Sequence, residues 1–440
     1  MNHLFRFFLA AAAVVLLIQP SRSEELDSAA FADLGKALQI RLDGMREELG
    51  FPGATAAVLL EDGRMVKLAT GMADVENGIA MTPDHRIPGG STGKTYAAAV
   101  ALVLEEEGVW DLDDKAAMYL GDKPWWGDLA NRDSMTLRQL LRHRAGVENY
   151  YDLPRFHELI AGMVEQGQNI GDLVREDIIR FIAGMPPLFE PGKGFRYTDV
   201  GYILVGEAIE AATGENYFDL LRNRLLDPLG LNLTAPTRLY MSGIAQGYAP
   251  TPSPLVPGVT HVVADNGELE FDPEVEFTGG GLVNNVGDMA RWVMALYTGR
   301  AISPAAAEAI VEPPPHLTER EKESGSYYGL AVFVQQQPWG VTTWGHGGYF
   351  PGYRSEMQYL PEHRFSIAVQ INTEFDVWAP PPNAEEPRPY VDAVNEALQK
   401  TVLEALNRLT PDRNGQESAA VPRGLQRYRL PGQSPGSSHG

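Results

Sequence analysis

The chain has 440 residues and contains no cysteine. Without cysteine, thiolate catalysis, disulfide scaffolds, zinc–cysteine modules and iron–sulfur clusters are excluded. The chain carries 36 Lys and Arg residues against 58 Asp and Glu residues, so its formal net charge is -22. A chain this acidic is unsuited to wrapping nucleic acid, because the phosphates require a basic surface.

The first residues have the pattern of a secretory signal peptide. Arg6 supplies an early positive charge, residues 7–18 are apolar, and Pro20 ends the segment. Small residues before and at Ser23 suit a cleavage site. The apolar stretch is shorter than the ~20 residues that span a bilayer, which favours cleavage over a membrane anchor. We therefore expect a signal peptide over residues 1–23, cleaved near Ser23, and a periplasmic or secreted mature chain without a membrane span.

Apolar spacing predicts the first elements of the mature chain. Apolar residues three or four apart between Phe31 and Leu49 form one helical stripe, which Gly50 closes. Two apolar runs, residues 54–60 and 65–70, flank a polar turn and are typical of a β-hairpin.

The rest of the chain combines helices with strands. Residues 92–107 are apolar nearly all round and predict a buried helix, and residues 112–300 are mostly helical segments and loops. The predicted C-terminal elements are strands at residues 328–335, 341–345, 353–360 and 365–372, and a helix at residues 391–405. Antiparallel strands separated by a helical insertion predict an α+β domain over residues 24–410. Residues 411–440 are rich in Gly, Pro, Ser and Arg and predict a flexible tail.

The residues around Ser91 match three patterns at once. A phosphate-binding P-loop fits at Lys94, but Pro88 stands where its first glycine should be. A G-x-S-x-G nucleophile elbow fits at Ser91, but the hydrophobic strand that precedes such an elbow is missing. The third pattern is S-x-x-K, which places Ser91 at the start of the apolar helix and Lys94 one turn later.

The S-x-x-K pattern points to acyl transfer. Residues i and i+3 share a helix face, so Ser91 and Lys94 are expected to be neighbours. The helix N-terminus favours the oxyanion that develops on acylation. Burial lowers the pKa of a lysine, and a lowered pKa would let Lys94 act as a base. By itself the pattern is weak, because it arises often by chance.

Two further motifs follow Ser91 in the chain. Tyr197 and Asp199 come just before a helix predicted over residues 202–212, and His346 and Gly348 lie near the end of a strand. With the three motifs in this order, the sequence resembles the serine β-lactamase and penicillin-binding protein superfamily, in its branch of class C β-lactamases, DD-peptidases and esterases. The resemblance runs over nearly the whole mature chain. It implies a β-lactamase-like fold, with an antiparallel sheet flanked by N- and C-terminal helices and an inserted all-helical subdomain.

The resemblance also implies a role for each motif. Ser91 takes the place of the nucleophile that forms a covalent acyl-enzyme, Lys94 that of its base, and Tyr197 shares the proton transfer with the lysine. The third motif lies on the strand that edges the site. The oxyanion hole is expected from the backbone N–H groups of Ser91 and Tyr349.

The side of the site that binds substrate departs from the family. Asp199 stands where Asn is usual, and an ionised aspartate accepts hydrogen bonds but cannot donate one to a substrate carbonyl. An aspartate near Lys94 would also raise the pKa of the lysine. No threonine follows His346 or Gly348 to hold a substrate carboxylate. Arg354 either supplies that contact or is a solvated arginine.

Candidates outside the three motifs are predicted to be structural or to border the site. His143 is expected to support a loop beneath the site. Trp125 and Trp126 either line the groove or pack in the helical block. The nine histidines are scattered, without the spacing of a metal site, so we expect no metal and no other cofactor.

The sequence therefore predicts a secreted serine hydrolase that cleaves a small ester, amide or lactam bond through an acyl-enzyme on Ser91. The substrate is expected to be a small molecule or peptidoglycan-like, and nucleic acid is not expected as a partner. A D-alanyl-D-alanine carboxypeptidase or a class C-type β-lactamase is one alternative, and a noncatalytic ligand-binding member of the fold is another. Because of Asp199, we expect small activated esters to be better substrates than D-Ala-D-Ala peptides or β-lactams.

Overall fold

A computed structural model describes residues 26–168, 170–249, 256–374 and 390–408. The signal peptide and the tail predicted at the two ends of the chain lie outside the described residues, and the domain boundaries drawn from them stay predictions. Over the described ranges, no helix has both the length and the apolar character needed to cross a membrane.

The strands of the described chain form two sheets. Their bounds are β1 (Gly53–Leu60), β2 (Met65–Asp74), β3 (Ile79–Ala80), β4 (Ile87–Pro88), β5 (Ala235–Pro236), β6 (Leu282–Asn284), β7 (Tyr327–Tyr328), β8 (Phe333–Gln336), β9 (Thr342–Phe350), β10 (Tyr353–Leu360) and β11 (Phe365–Ile371). The larger sheet is antiparallel and eight-stranded, in the order β3-β2-β1-β11-β10-β9-β8-β7. The smaller sheet has the order β4-β6-β5.

The helices lie at both ends of the domain and in a long central block. Their bounds are α1 (Ser28–Leu49), α2 (Gly93–Glu106), α3 (Ala117–Leu120), α4 (Leu137–Leu141), α5 (Pro154–Glu165), α6 (Arg175–Phe181), α7 (Asp199–Thr213), α8 (Tyr217–Leu221), α9 (Asp227–Leu229), α10 (Phe277–Gly280), α11 (Val286–Tyr297), α12 (Pro304–Ile310), α13 (Glu319–Ser324) and α14 (Tyr390–Arg408). Single turns of 3₁₀ or π-helix lie at Gly90–Thr92, Trp126–Asp128, Tyr150–Asp152, Ile170–Asp172, Arg222–Leu226 and Pro273–Glu276.

The strand β1 is buried on both faces, which explains why its sequence is apolar throughout. Successive side chains of a strand point to opposite faces of the sheet. Ala54, Ala56 and Val58 pack in one core with α1 and α14, whereas Ala57 and Leu59 belong to a second core that includes α11. The second core continues into the helical block, so α2, the helix that follows Ser91, and the sheet share one apolar interior.

The helical companion predicted between the strands is present. The described chain between β4 and β5 consists of helices, 3₁₀ turns and loops. Trp125 and Trp126 are buried in the core of this block. Of the two predicted placements, they therefore pack in the helical block and do not line the groove. The α+β prediction is therefore confirmed, although the three-stranded sheet was not predicted because its strands are only two or three residues long.

The prediction of one continuous strand over residues 328–335 is wrong. The structure divides it into β7 and β8, two short strands that pair as a hairpin. Ala331 lies in the connecting turn with a left-handed φ of 60°, which ends the extended conformation. The next predicted strand, residues 341–345, is longer than expected, because β9 continues to Phe350.

Candidate active site

Ser91 lies on a 3₁₀ turn directly before α2, as the S-x-x-K pattern predicts. The turn is pressed against β9, and glycines make the approach possible. Gly90 has φ 54°, and a β carbon there would lie 2.2 Å from the carbonyl oxygen of Tyr349. A β carbon on Gly348 would lie 1.9 Å from the carbonyl oxygen of Gly89. The backbone of β9 therefore runs beside the turn Gly90–Thr92, which we name the nucleophile turn because Ser91 is the predicted nucleophile.

The ammonium group of Lys94 is fully buried and contacts three acceptors. Its Nζ donates to Ser91 Oγ at 3.0 Å, to Asp199 Oδ1 at 2.5 Å and to the carbonyl oxygen of Gly279 at 2.6 Å. Burial lowers the pKa of Lys94, but the neighbouring Asp199 and Tyr197 outweigh burial and raise it above the ordinary value. The prediction that burial gives Lys94 a lowered pKa is therefore wrong, whereas the rise predicted from a neighbouring Asp199 is confirmed.

Asp199 is the first residue of α7, which begins three residues earlier than predicted. Thr198 precedes it in an extended conformation, and the backbone N–H of Asp199 donates to Asn149 Oδ1 at 3.2 Å. A carboxylate in the first turn is favoured by the positive end of the helix dipole. The side chain is a quarter exposed, so one side faces Lys94 while the other is open to the cleft.

The phenol of Tyr197 adjoins both Ser91 and Lys94. Desolvation raises its pKa, while the charge of Lys94 and a hydrogen bond with Ser91 act against that rise, so the phenol is neutral at neutral pH. His143 lies beneath it, with ring centroids 4.2 Å apart, and its Nδ1 accepts from the backbone N–H of Thr198 at 3.2 Å. Burial holds the pKa of His143 well below its usual value. The structure thus places this histidine as a neutral support, where the sequence predicted one.

His346 lies on β9 and is almost completely buried. Burial lowers its pKa to about 3, so the ring is neutral. Its Nδ1 is 2.6 Å from the carbonyl oxygen of Gly347 and must donate there, which leaves Nε2 to accept from the hydroxyl of Tyr328 at 2.9 Å. Both ring nitrogens are thereby occupied within the protein.

Two clefts open on Ser91. The first, which we name the β9 cleft, has a volume of about 420 Å³ and includes Tyr197, His346, Gly348, Tyr349 and Arg354 in its wall. The second, the α7 cleft, has a volume of about 510 Å³ and includes Asn149, Tyr150, Tyr151, Asp152, Arg196, Tyr197, Asp199, Glu276 and Tyr349. The guanidinium carbon of Arg354 lies 4.4 Å from the centre of the Tyr349 ring. Every residue predicted for the site therefore lines a cleft that Ser91 also lines, or contacts a residue that does.

Sequence reasoning missed Tyr328, the carbonyl of Gly279 and, above all, Glu276. Burial, followed by the charge of Asp199, raises the pKa of the Glu276 carboxyl to about 7. The run of three glycines at residues 279–281 was a signal of close backbone approach at this point. Within the described ranges, no group of three or more His, Cys, Asp or Glu side chains is placed to hold a metal ion.

Comparison with known proteins identifies similar chains. The family model described as Beta-lactamase matches residues 38–388. A penicillin-binding protein of Bacillus subtilis (strain 168) is 29% identical over 299 residues, which is 65% of this chain and 60% of that protein. A D-aminopeptidase of Cereibacter sphaeroides is 26% identical over 344 residues, which is 77% of this chain and 60% of that protein.

A similar fold occurs among solved structures. The crystal structure of a D-stereospecific amidohydrolase from Streptomyces sp. has a TM-score of 0.63 and 26% identity, and the match covers 79% of this chain and 94% of that one. The β-lactamase-like fold class is thereby confirmed. The chain spans about three-fifths of the length of the curated relatives it matches.

Proposed function

Because this chain belongs to the beta-lactamase family and is a serine hydrolase of that family, we propose that it cleaves an amide or ester bond of a small substrate through a covalent acyl-enzyme on Ser91. One observation carries the proposal above the others. Ser91 stands at the start of a buried helix, and the Nζ of Lys94 lies 3.0 Å from its hydroxyl oxygen. A hydroxyl with a basic group at hydrogen-bond distance is the arrangement that nucleophilic catalysis requires.

The chemistry would proceed in two steps. From the form of the site in which Lys94 is uncharged, Ser91 Oγ attacks the substrate carbonyl carbon, and its proton passes into the pair formed by the Lys94 amine and the Tyr197 phenol. The backbone N–H groups of Ser91 and Tyr349 stabilise the oxyanion, and β9 runs beside the nucleophile turn as this role requires. The leaving group takes a proton from the same pair. Water then attacks the acyl-enzyme and releases the acid.

We assign the substrate to the small amides, peptides and esters. The relatives named above are a penicillin-binding protein, a D-aminopeptidase and a D-stereospecific amidohydrolase, which favours an amide or peptide bond. Asp199 cannot donate to a substrate carbonyl, so we expect turnover of small activated esters and amides to exceed that of D-Ala-D-Ala peptides and nitrocefin. Measuring kcat/KM for all four substrate classes tests this order. Efficient D-Ala-D-Ala cleavage would instead favour the carboxypeptidase alternative.

Covalent labelling tests the acyl-enzyme. After treatment with a fluorophosphonate, mass spectrometry should find one adduct on the peptide that contains Ser91 and none in Ser91→Ala. Ser355→Ala is the matched control, because this serine also borders the β9 cleft and should leave the labelling unchanged. An adduct elsewhere, together with full activity of Ser91→Ala, would show that the nucleophile has been misassigned.

A noncatalytic ligand-binding role is the second candidate, and the raised pKa of Lys94 favours it. A lysine that stays protonated cannot take the serine proton. Labelling separates the two candidates, since a binding protein would leave Ser91 unmodified. The placement of the mature protein in the periplasm or outside the cell is part of the proposal and depends on residues 1–23 alone.

A further inference from the structure

The carboxyl group of Glu276 lies in the wall of the α7 cleft, close to the nucleophile. A β carbon built on Gly280 would lie 2.8 Å from Glu276 Oε2 and 2.9 Å from the carbonyl carbon of Gly90. Gly90 immediately precedes Ser91. The carboxyl is therefore adjacent to the nucleophile turn, on the side where Asp199 also lies.

A strained backbone holds Glu276 in this position. The next residue, Phe277, has φ 37° and ψ -125°, a conformation that is unfavourable for a residue with a side chain. The Phe277 ring is buried, and the guanidinium carbon of Arg175 lies 3.9 Å from the centre of the ring. A β carbon on Gly206 would lie 2.3 Å from the ring carbon Cε1 of Phe277. Strain of this kind persists only where the surrounding packing enforces it, so the position of the carboxyl is fixed before any ligand arrives.

Charge is unbalanced in the α7 cleft. Lys94 is neutralised by its ion pair, and Arg196 contacts two carboxylates, Glu148 at 3.2 Å and Asp152 at 3.3 Å. Among the described residues, Glu276 has neither an ion-pair partner nor a hydrogen bond to its side chain. With Glu276 and the partner of Lys94 counted, four carboxylates lie in or beside the cleft, and these two cations can neutralise only two of them.

The surroundings of this carboxyl suit a cation. Tyr150, Tyr151 and Tyr349 line the same cleft, and aromatic side chains attract cations to their ring faces. Burial, followed by the charge of Asp199, raises the pKa of Glu276 to about 7, and the charge of Lys94 opposes this rise only in part. Within the described part of the chain no cation forms an ion pair with Glu276, so its countercharge is incomplete. A bound cation would supply that countercharge, whereas a substrate carboxylate would be repelled.

We propose that the α7 cleft binds the free ammonium group of a substrate that carries an amino group on the carbon next to the scissile carbonyl. Glu276 accepts hydrogen bonds from this ammonium, and the exposed side of Asp199 is its second acceptor. The inference rests on the proposed function, since it places the scissile carbonyl at Ser91. It narrows the substrate class to amino acid amides, esters or peptides with an unblocked amino terminus.

Calorimetric titration of the Ser91→Ala protein tests the inference without turnover. D-alaninamide and D-phenylalaninamide are compared at pH 7 with their N-acetyl derivatives, which lack the charge. We expect at least one free amine to bind at least about tenfold tighter than its acetylated form, the fold-change of a 1.4 kcal/mol contact. Equal affinities within each pair, or no binding of any of the four compounds, would overturn the inference.

Variants assign the preference to the carboxyl. Glu276→Gln in the Ser91→Ala background should abolish the difference between free and acetylated compounds, while Glu274→Gln should keep it. Glu274 is the matched control, because it lies on the same 3₁₀ turn and is exposed to solvent. Equal thermal unfolding of the two variants excludes a difference in folding. If Glu276→Gln keeps the full preference, the carboxyl is not the receptor.

The outcomes separate this inference from the proposed function. Fluorophosphonate labelling of Ser91 in the parent protein reports on the acyl-enzyme alone. Labelling of Ser91 without a preference for the free ammonium compounds would refute the inference and still support the proposed function. An ammonium preference without labelling would remove the proposed function and leave an amine-binding cleft.

Discussion

The Nζ of Lys94 lies 2.5 Å from Oδ1 of Asp199, closer than the 3.0 Å that separates it from the hydroxyl oxygen of Ser91. In the protein without substrate, the shortest contact of the Lys94 ammonium is therefore its ion pair with a carboxylate. A neutral asparagine at this position would leave the ammonium without a countercharge. Asp199 consequently affects the protonation state of Lys94, the proposed base, and not only the hydrogen bonds offered to a substrate.

Asp199→Asn is expected to move the pH dependence of the reaction. Without the carboxylate, burial dominates and the pKa of Lys94 falls, so the neutral amine forms at lower pH. The rising limb of the kcat/KM profile should shift to lower pH by about 1–3 units, the usual effect of a close opposite charge. Asp152→Asn is the control, because Asp152 borders the same cleft but pairs with Arg196. An unshifted limb in Asp199→Asn would mean that Lys94 does not set it.

Lys94→Ala and Tyr197→Phe should each lower kcat by about 10²–10⁴-fold, the usual contribution of a group that transfers the proton. Circular dichroism should show the fold of both variants unchanged. Tyr151→Phe serves as the control for the phenol, since Tyr151 borders the α7 cleft and has no role in the proposed proton transfer. If Tyr197→Phe turns over like the parent, the second motif has been misplaced.

Gly348→Ala is expected to destabilise the protein by about 3 kcal/mol, the upper end of the cost of overpacking. Its β carbon would lie 1.9 Å from the backbone carbonyl of Gly89, so the nucleophile turn must move. Gly347→Ala should cost less, because the atom nearest its β carbon is the far end of the Glu356 side chain. Urea unfolding and the labelling rate of Ser91 measure both effects. Equal stabilities of the two variants would argue against the tight contact of β9 with the turn.

His346→Gln should flatten the dependence of stability on pH. The pKa of His346 is about 3 in the folded protein against an ordinary value of 6.5, so the unfolded chain binds the extra proton between these values. Stability contributed by the neutral ring is complete above pH 6.5 and is lost as the pH falls toward 3. In urea unfolding between pH 5 and 6, the parent should lose up to about 1.4 kcal/mol per pH unit more than the variant. Equal slopes would mean that the histidine titrates normally.

The sequence was sufficient for features that depend on local pattern. The hairpin of β1 and β2, the buried helix after Ser91 and the order of the three motifs all follow from spacing along the chain. The single strand predicted over residues 328–335 failed, because its apolar run continues through a turn that the left-handed Ala331 creates. A run of apolar residues cannot reveal such a turn when both flanking strands are short.

Features that depend on distant residues could not be predicted. The pKa of Lys94 is set by Asp199, which is 105 residues away along the chain. Glu276 lines the α7 cleft directly before Phe277, whose backbone conformation is unusual and whose ring is buried. Neither the strain nor the balance of charges in the α7 cleft has a local signal in the sequence.

The three hydrogen bonds of Lys94 have a consequence for its chemical reactivity. An ammonium group has three N–H bonds, and here each points to an acceptor inside the protein, with no part of the side chain exposed. Cyanate, anhydrides and other amine-directed reagents attack the uncharged, accessible amine. They should therefore modify surface lysines and spare this one for as long as the protein stays folded. The proposed base would then be the lysine best protected from acylation, and its modification would report the opening of the site.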